Sequence, residues 1–97
     1  MKRGDPVSNQ TILKYPLYRG GVPTEIKCRF VRVLDIQLQN NTATAWILTD
    51  DSVPEVEVNI IPIGTGWDIP AEIMEVLEYI KTIQDSYGFV WHYHMKK

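Results

Sequence analysis

Hydrophobic and polar residues alternate along most of this chain with a period of two, the pattern of extended strands that bury one face. Thr11-Ile12-Leu13-Lys14-Tyr15-Pro16-Leu17 sets Leu13, Tyr15 and Leu17 on one side. Pro16 cannot donate to a ladder, which pushes this strand to a sheet edge or ends its pairing there. From Thr24 to Gln39 the chain is rich in Ile26, Phe30, Val31, Val33, Leu34, Ile36 and Leu38, and again reads as strand. Val31 and Val33 are out of phase with Leu34, Ile36 and Leu38, so a bulge near Leu34 or Asp35, or burial on both faces, is expected. Asn40-Asn41 tolerates left-handed backbone and predicts a hairpin between 34–39 and 42–49. In its second arm Trp46 and Leu48 face one way, and Ala43, Ala45 and Ile47 the other. Val56, Val58 and Ile60 then alternate with Glu57 and Asn59 until the phase slips at Ile60-Ile61, where a second bulge is expected.

The stretch from Ile69 to Gln84 carries two signals. Ile73, Val76, Leu77, Ile80 and Ile83 recur at helical spacing, yet Tyr79-Ile80-Lys81-Thr82-Ile83-Gln84 also reads as strand. The prediction is a short helix near 70–77 followed by a closing hairpin, with Phe89, Trp91, Tyr93 and Met95 alternating against Val90, His92 and His94. Residues 1–10 are polar and aperiodic and read as a loose arm, leaving 11–95 as a single β-rich domain. Asp50-Asp51-Ser52-Val53-Pro54 reads as a solvated loop. The expected fold class is mainly β with a minor α contribution: a small antiparallel β-sandwich or partly open barrel, the short helix lying across an open end.

Between the fifth apolar run and that helix lies Gly64-Thr65-Gly66-Trp67-Asp68, the strongest site candidate. Glycines at 64 and 66 permit positive φ, and such a turn can gather N–H groups around an anion. Asp68 stands where a helix N-cap belongs, with Pro70 in the first turn, and Trp67 is left at the corner. If the first strand approaches this turn, Tyr15, Tyr18 and Arg19 join it, pairing stacking surfaces with a guanidinium.

Composition narrows the chemistry. The 97 residues carry ten basic and twelve acidic side chains, a formal charge of −2, so no overall field attracts nucleic acid. No apolar run is long enough to span a bilayer, so no membrane partner is expected. The single Cys28 excludes an intrachain disulfide, and with no leader pattern ahead of the domain the expected location is the cytoplasm. Lys27 and Arg29 flank Cys28, but no oriented base accompanies it as a nucleophile. His92 and His94 share a strand face at metal-binding spacing without an identifiable third ligand, and read as an exposed polar face. No catalytic residue, metal or cofactor is expected, and the protein reads as a non-enzyme.

Six segments in order resemble a family of small uncharacterised proteins of tailed phages and prophages. They are Ile12–Leu17, Leu34–Asn40, Ala45–Asp50, Ile63–Ile69, Tyr79–Gln84 and Val90–His92, together covering roughly 11–95. Members of that family usually read Gly-Thr-Gly-His at the turn. This chain has Trp67 at the histidine position, which speaks against a catalytic histidine there. The resemblance implies a phage setting and no mechanism. In that setting the expected function is inhibition of a host protein, a defence or replication factor, by occlusion through an edge strand or an aromatic patch of Tyr15, Tyr18, Tyr87 and Trp67. Two alternatives are a protein that sequesters a small nucleotide signal at Gly64–Trp67 and an accessory, oligomer-forming structural protein. An unprotected edge makes a homodimer plausible.

Overall fold

Strands that bury one face must find a second layer, and here the chain supplies it by changing sheets at a corner. The computed structural model describes residues 7–97. Its elements are β1 (Gln10–Pro16), β2 (Thr24–Cys28), β3 (Phe30–Gln39), β4 (Thr42–Asp50), β5 (Val56–Gly64), α1 (Ala71–Met74), β6 (Leu77–Gln84) and β7 (Val90–Lys96). They form two antiparallel sheets, ordered β1-β4-β3 and β2-β5-β7-β6. Arg29 alone separates β2 from β3, and its carbonyl accepts the Asp50 N–H at 3.0 Å. The chain therefore turns from one sheet into the other within a single residue. Between the layers Ile36, Ile47 and Ile60 are fully buried, with Leu17, Ile26, Val58, Ile83 and Tyr93 packed around them. Each such side chain contributes roughly 1.5–3 kcal/mol of burial. The result is the mainly β, antiparallel sandwich that the alternation predicts, not closed into a barrel.

The hairpin at Asn40-Asn41 forms as expected, with φ of 51° and 64° at the two residues, the double left-handed turn that matches strand twist. The β3 register shifts between Val33 and Asp35, where the phase change predicted it, and also between Phe30 and Arg32. β1 is an edge strand, one of the two outcomes that Pro16 predicts. The slip at Ile60-Ile61 produces no bulge: β5 pairs without interruption with β2 over Val56–Ile60 and with β7 over Ile60–Gly64. Ile61 and Ile63 are half-buried on the outer face, so both sides of this strand accept apolar residues. Beyond Ile60 one flank of β5 has no neighbouring strand, the situation in which a sheet tolerates Pro62.

Several local expectations are corrected. α1 spans Ala71–Met74, shorter than 70–77, because Leu77 begins a strand that pairs with β7. One isolated helical turn has little stability of its own, whereas the hairpin buries Leu77 and Ile83. Pro70, not Asp68, is the N-cap, and no side chain caps the helix. No residue of α1 is buried, so the helix does not cover the open end of the sandwich. Asp50 is buried at the end of β4, its carboxylate accepting from Ser52 and Gln10, and is no part of a solvated loop. The arm expected at 1–10 lies outside the described residues for 1–6. Asn9 exchanges hydrogen bonds with Asp51, and Gln10 already belongs to β1. Among the described residues no helix is long and apolar enough to cross a membrane.

β3 and β6 meet along a seam without a ladder, bridged by Lys81 Nζ and Asp35 Oδ1 at 2.9 Å. The Lys81 bond, followed by those from Gln37 and the Ile36 amide, holds the Asp35 carboxyl below its ordinary range. A lowered folded-state pKa adds stability above the unfolded carboxyl's titration, and that stability is lost as pH falls through the folded value. Because the pair is partly exposed, Asp35→Asn should cost only about 0.5 kcal/mol at neutral pH. In urea melts the wild-type advantage over this variant should vanish in acid. Ile47→Ala, by contrast, should cost roughly 2–5 kcal/mol at any pH where the protein folds.

Candidate functional site

Where the helix leaves the sandwich end open, four connections converge. They are the β1–β2 loop, the Asn40-Asn41 turn, the Gly64–Trp67 turn and the β6–β7 turn, and between them lies a cleft of about 520 Å³. Its floor is the margin of the core, Leu17, Ala43, Ile83 and Tyr93, and its walls are Tyr18, Trp67, Tyr87, Phe89 and Trp91. Clefts that hold small ligands or side-chain anchors have volumes of roughly 300–1,000 Å³ and the same mixture of apolar floor and few polar groups.

Trp67 sets the shape of one wall. Its N–H donates to the Gly64 carbonyl at 3.2 Å across a turn in which Gly66 has φ of +87°, the left-handed third position that favours glycine. The indole then folds back over two backbones. A Cβ on Gly64 would lie 2.7 Å from Trp67 Nε1, and one on Gly21 would lie 2.8 Å from Trp67 Cη2 and 3.0 Å from Trp91 Cζ3. Both positions therefore exclude a side chain. Trp67 meets Trp91 edge to face at 5.6 Å between centroids, a geometry worth about 0.5–1.5 kcal/mol beyond area. Even so it remains 50% exposed and lines the cleft.

The adjoining wall hangs on Asp85. Asp85 Oδ2 accepts the Trp91 Nε1–H at 3.0 Å, and Oδ1 accepts the amides of Tyr87 and Phe89 at 2.9 and 3.0 Å. Burial pushes the carboxyl up, but these bonds and that of the Gly88 amide outweigh it and hold Asp85 below its usual range. Tyr93, on the floor, is raised by burial and by the charge of Asp85. The β1–β2 loop is fixed by Leu17 N–H to the Ala43 carbonyl at 2.8 Å and by Tyr18 N–H to Thr24 Oγ1 at 2.9 Å.

The predicted site residues divide. Trp67, Tyr18 and Arg19 come together on the cleft. Gly64 lies buried beneath the indole, and Thr65, Gly66 and Asp68 are exposed outside the cleft lining. Two of the turn's amides are engaged within the chain: Thr65 N–H goes to the Val90 carbonyl and Trp67 N–H to that of Gly64. Tyr15 also falls away from the cleft. It lies on β1 against the core, its phenol raised by burial and then by Cys28 and Glu55. Cys28 is buried and its thiol is pushed up by burial and Glu55, the reverse of nucleophile activation.

Sequence reasoning missed Asp85, Phe89 and Trp91 as cleft residues. Asp85-Ser86-Tyr87-Gly88 does carry the signal of a carboxylate bonding amides two residues on. Nothing in the linear pattern, however, places that turn beside Trp67.

On the outer face of the second sheet His94 is buried, at 6% exposure, correcting the exposed polar face expected there. It packs edge to face with Tyr79 and its Nδ1 is 2.8 Å from the His92 carbonyl. His92 is held between Thr65 Oγ1 and Thr82 Oγ1 at 2.8 and 2.9 Å. Among the described residues no group of three or more His, Cys, Asp or Glu is arranged to hold a metal ion.

Two outcomes follow from the cleft's supports. Gly64→Ala should displace the indole, shifting the Trp67 Nε1–H resonance and costing roughly 1–3 kcal/mol in urea, with the backbone otherwise tolerant because Gly64 is not left-handed. The folded-state pKa of Asp85 is depressed, so the order it gives the turn is present above the ordinary carboxyl pKa and lost as pH falls through the folded value. The Tyr87 and Phe89 amide shifts should titrate together in that acid range, and not in Asp85→Asn.

No curated protein and no solved structure matches the chain. Residues 8–97 match the family described as a domain of unknown function, DUF7352, and the chain belongs to that family.

Proposed function

We propose that this protein acts by binding alone: its aromatic cleft takes in a segment of another protein and blocks that partner by occlusion. The observation that carries the reading is the convergence of Tyr18, Trp67, Tyr87, Phe89 and Trp91 from three separate connections and β7 around one opening with an apolar floor. Rigid aromatic side chains bury much area for little entropy, and they dominate the binding energy of protein interfaces. The charged groups on the cleft are Arg19 and Asp85, and Asp85 is spent on its own turn. That arrangement favours gripping over acid–base chemistry.

The resemblance to phage and prophage proteins makes the proposed partner a host protein, of defence or replication, met in the host cytoplasm. A sequestered nucleotide is the second reading, favoured by Trp67 and Tyr18 beside a guanidinium. The engagement of the Thr65 and Trp67 amides within the chain weighs against it.

Pull-down from lysate of the cells in which the protein acts should recover a partner with the wild type. Trp67→Ala with Phe89→Ala should lose it by at least roughly thirtyfold in affinity, the equivalent of a 2 kcal/mol anchor. Tyr79→Ala, on the outer face, should retain it. Undiminished recovery by the double variant would remove the cleft from the function. A thermal shift with mono- or dinucleotides, absent in Trp67→Ala, would replace the protein partner by a nucleotide.

A further inference from the structure

The charge around the cleft is asymmetric in a way that its aromatic lining does not require. Arg19 and Asp85 are the charged side chains among its lining residues. Asp85 already accepts three hydrogen bonds, from Trp91 Nε1 and from the Tyr87 and Phe89 amides, and no cation within the described residues pairs with it. Arg19 is exposed, and among the described residues its guanidinium has neither an ion-pair partner nor a side-chain hydrogen bond. It follows Tyr18, whose amide is tied to Thr24, so its position at the lip is fixed by the loop even though its own head group is uncommitted. The two formal charges of the lining offset each other, and the head group left without a partner among the described residues is that of Arg19.

From this we infer that the cleft selects a partner segment in which an acidic residue flanks an aromatic or aliphatic one. The inference rests on the binding reading above and names the chemistry the site takes. The apolar side chain enters beside the paired Trp67 and Trp91 rings toward the core margin, while the acid meets Arg19 at the lip. A guanidinium forms paired N–H bonds with a carboxylate, and its planar fork suits that group better than a point charge would. The same count argues for one negative charge and against two. A phosphorylated side chain would bring nearly a double charge to a single guanidinium in a cleft that also holds the carboxylate of Asp85.

The test uses blocked tetrapeptides with Asp-Phe, Asn-Phe, Lys-Phe or phosphoserine-Phe at the centre, titrated into the full chain while the Trp67 and Trp91 indole N–H resonances are followed. Asp-Phe should bind tightest, Asn-Phe about tenfold weaker, and Lys-Phe weakest. Arg19→Glu should reverse the order of Asp-Phe and Lys-Phe, and Arg19→Gln should make Asp-Phe and Asn-Phe equal, with thermal melting showing both variants folded. Equal binding of Asp-Phe and Asn-Phe by the wild type, or no reversal in Arg19→Glu, overturns the role of Arg19 and leaves the binding reading standing. Tightest binding by phosphoserine-Phe overturns the single-charge rule. If no peptide moves either indole resonance, both the inference and the peptide-binding reading fall.

Discussion

An indole can approach backbone this closely only where the backbone carries no side chain, and Trp67 does so at two places at once. Gly64, at the end of β5, and Gly21, in the loop before β2, come from different parts of the sequence, and a Cβ on either would collide with the ring. The two glycines lock the Gly64–Trp67 turn to the β1–β2 loop through this one side chain. Trp91 continues the contact edge to face, and Asp85 fixes Trp91 through its indole N–H. A continuous path thus leads from the glycine turn through the two tryptophans to the β6–β7 turn, and that path is the frame of the cleft.

The sheets explain why the frame encloses space. The core is densest at Ile36, Ile47 and Ile60, and it thins toward Leu17, Ala43, Ile83 and Tyr93, where the layers end and the cleft begins. α1 buries nothing and leaves this end uncovered, while the seam between β3 and β6 is closed by the Lys81–Asp35 pair. Aromatic side chains held by backbone contacts and hydrogen bonds lose little further freedom on binding, which is the physical basis of a preorganised site. The proposed occlusive function depends on that preorganisation.

Much of this architecture was legible in the sequence because period-two alternation is local and repeated. The two-residue Asn40-Asn41 turn and the bulge after Val33 could both be read from phase and turn chemistry. The extent of α1 could not, because Ile73, Val76, Leu77, Ile80 and Ile83 satisfy a helical period while β6 is decided by pairing with the distant β7. Ile60-Ile61 misled for a related reason: alternation signals one buried face, and β5 covers both. At the site, Gly64-Thr65-Gly66-Trp67 marked a corner of which Trp67 lines the cleft. Gly66 does supply the positive φ, but Gly64 is needed for the room it leaves to the indole, and the Thr65 and Trp67 amides are spent internally. Tyr15 and Tyr18 are three positions apart in sequence yet diverge, one onto the core and one onto the cleft.

The central claim is that the indole of Trp67 is seated on both glycines and still presents a face to an accessible cleft. Through-space NMR couplings test this most directly. The account predicts strong cross-peaks from the Trp67 ring to the α-protons of both Gly64 and Gly21 and to the Trp91 ring. It also predicts that a soluble paramagnetic probe broadens the exposed Trp67 ring protons. Absence of the Gly21 cross-peaks, or a Trp67 ring untouched by the probe, would contradict it.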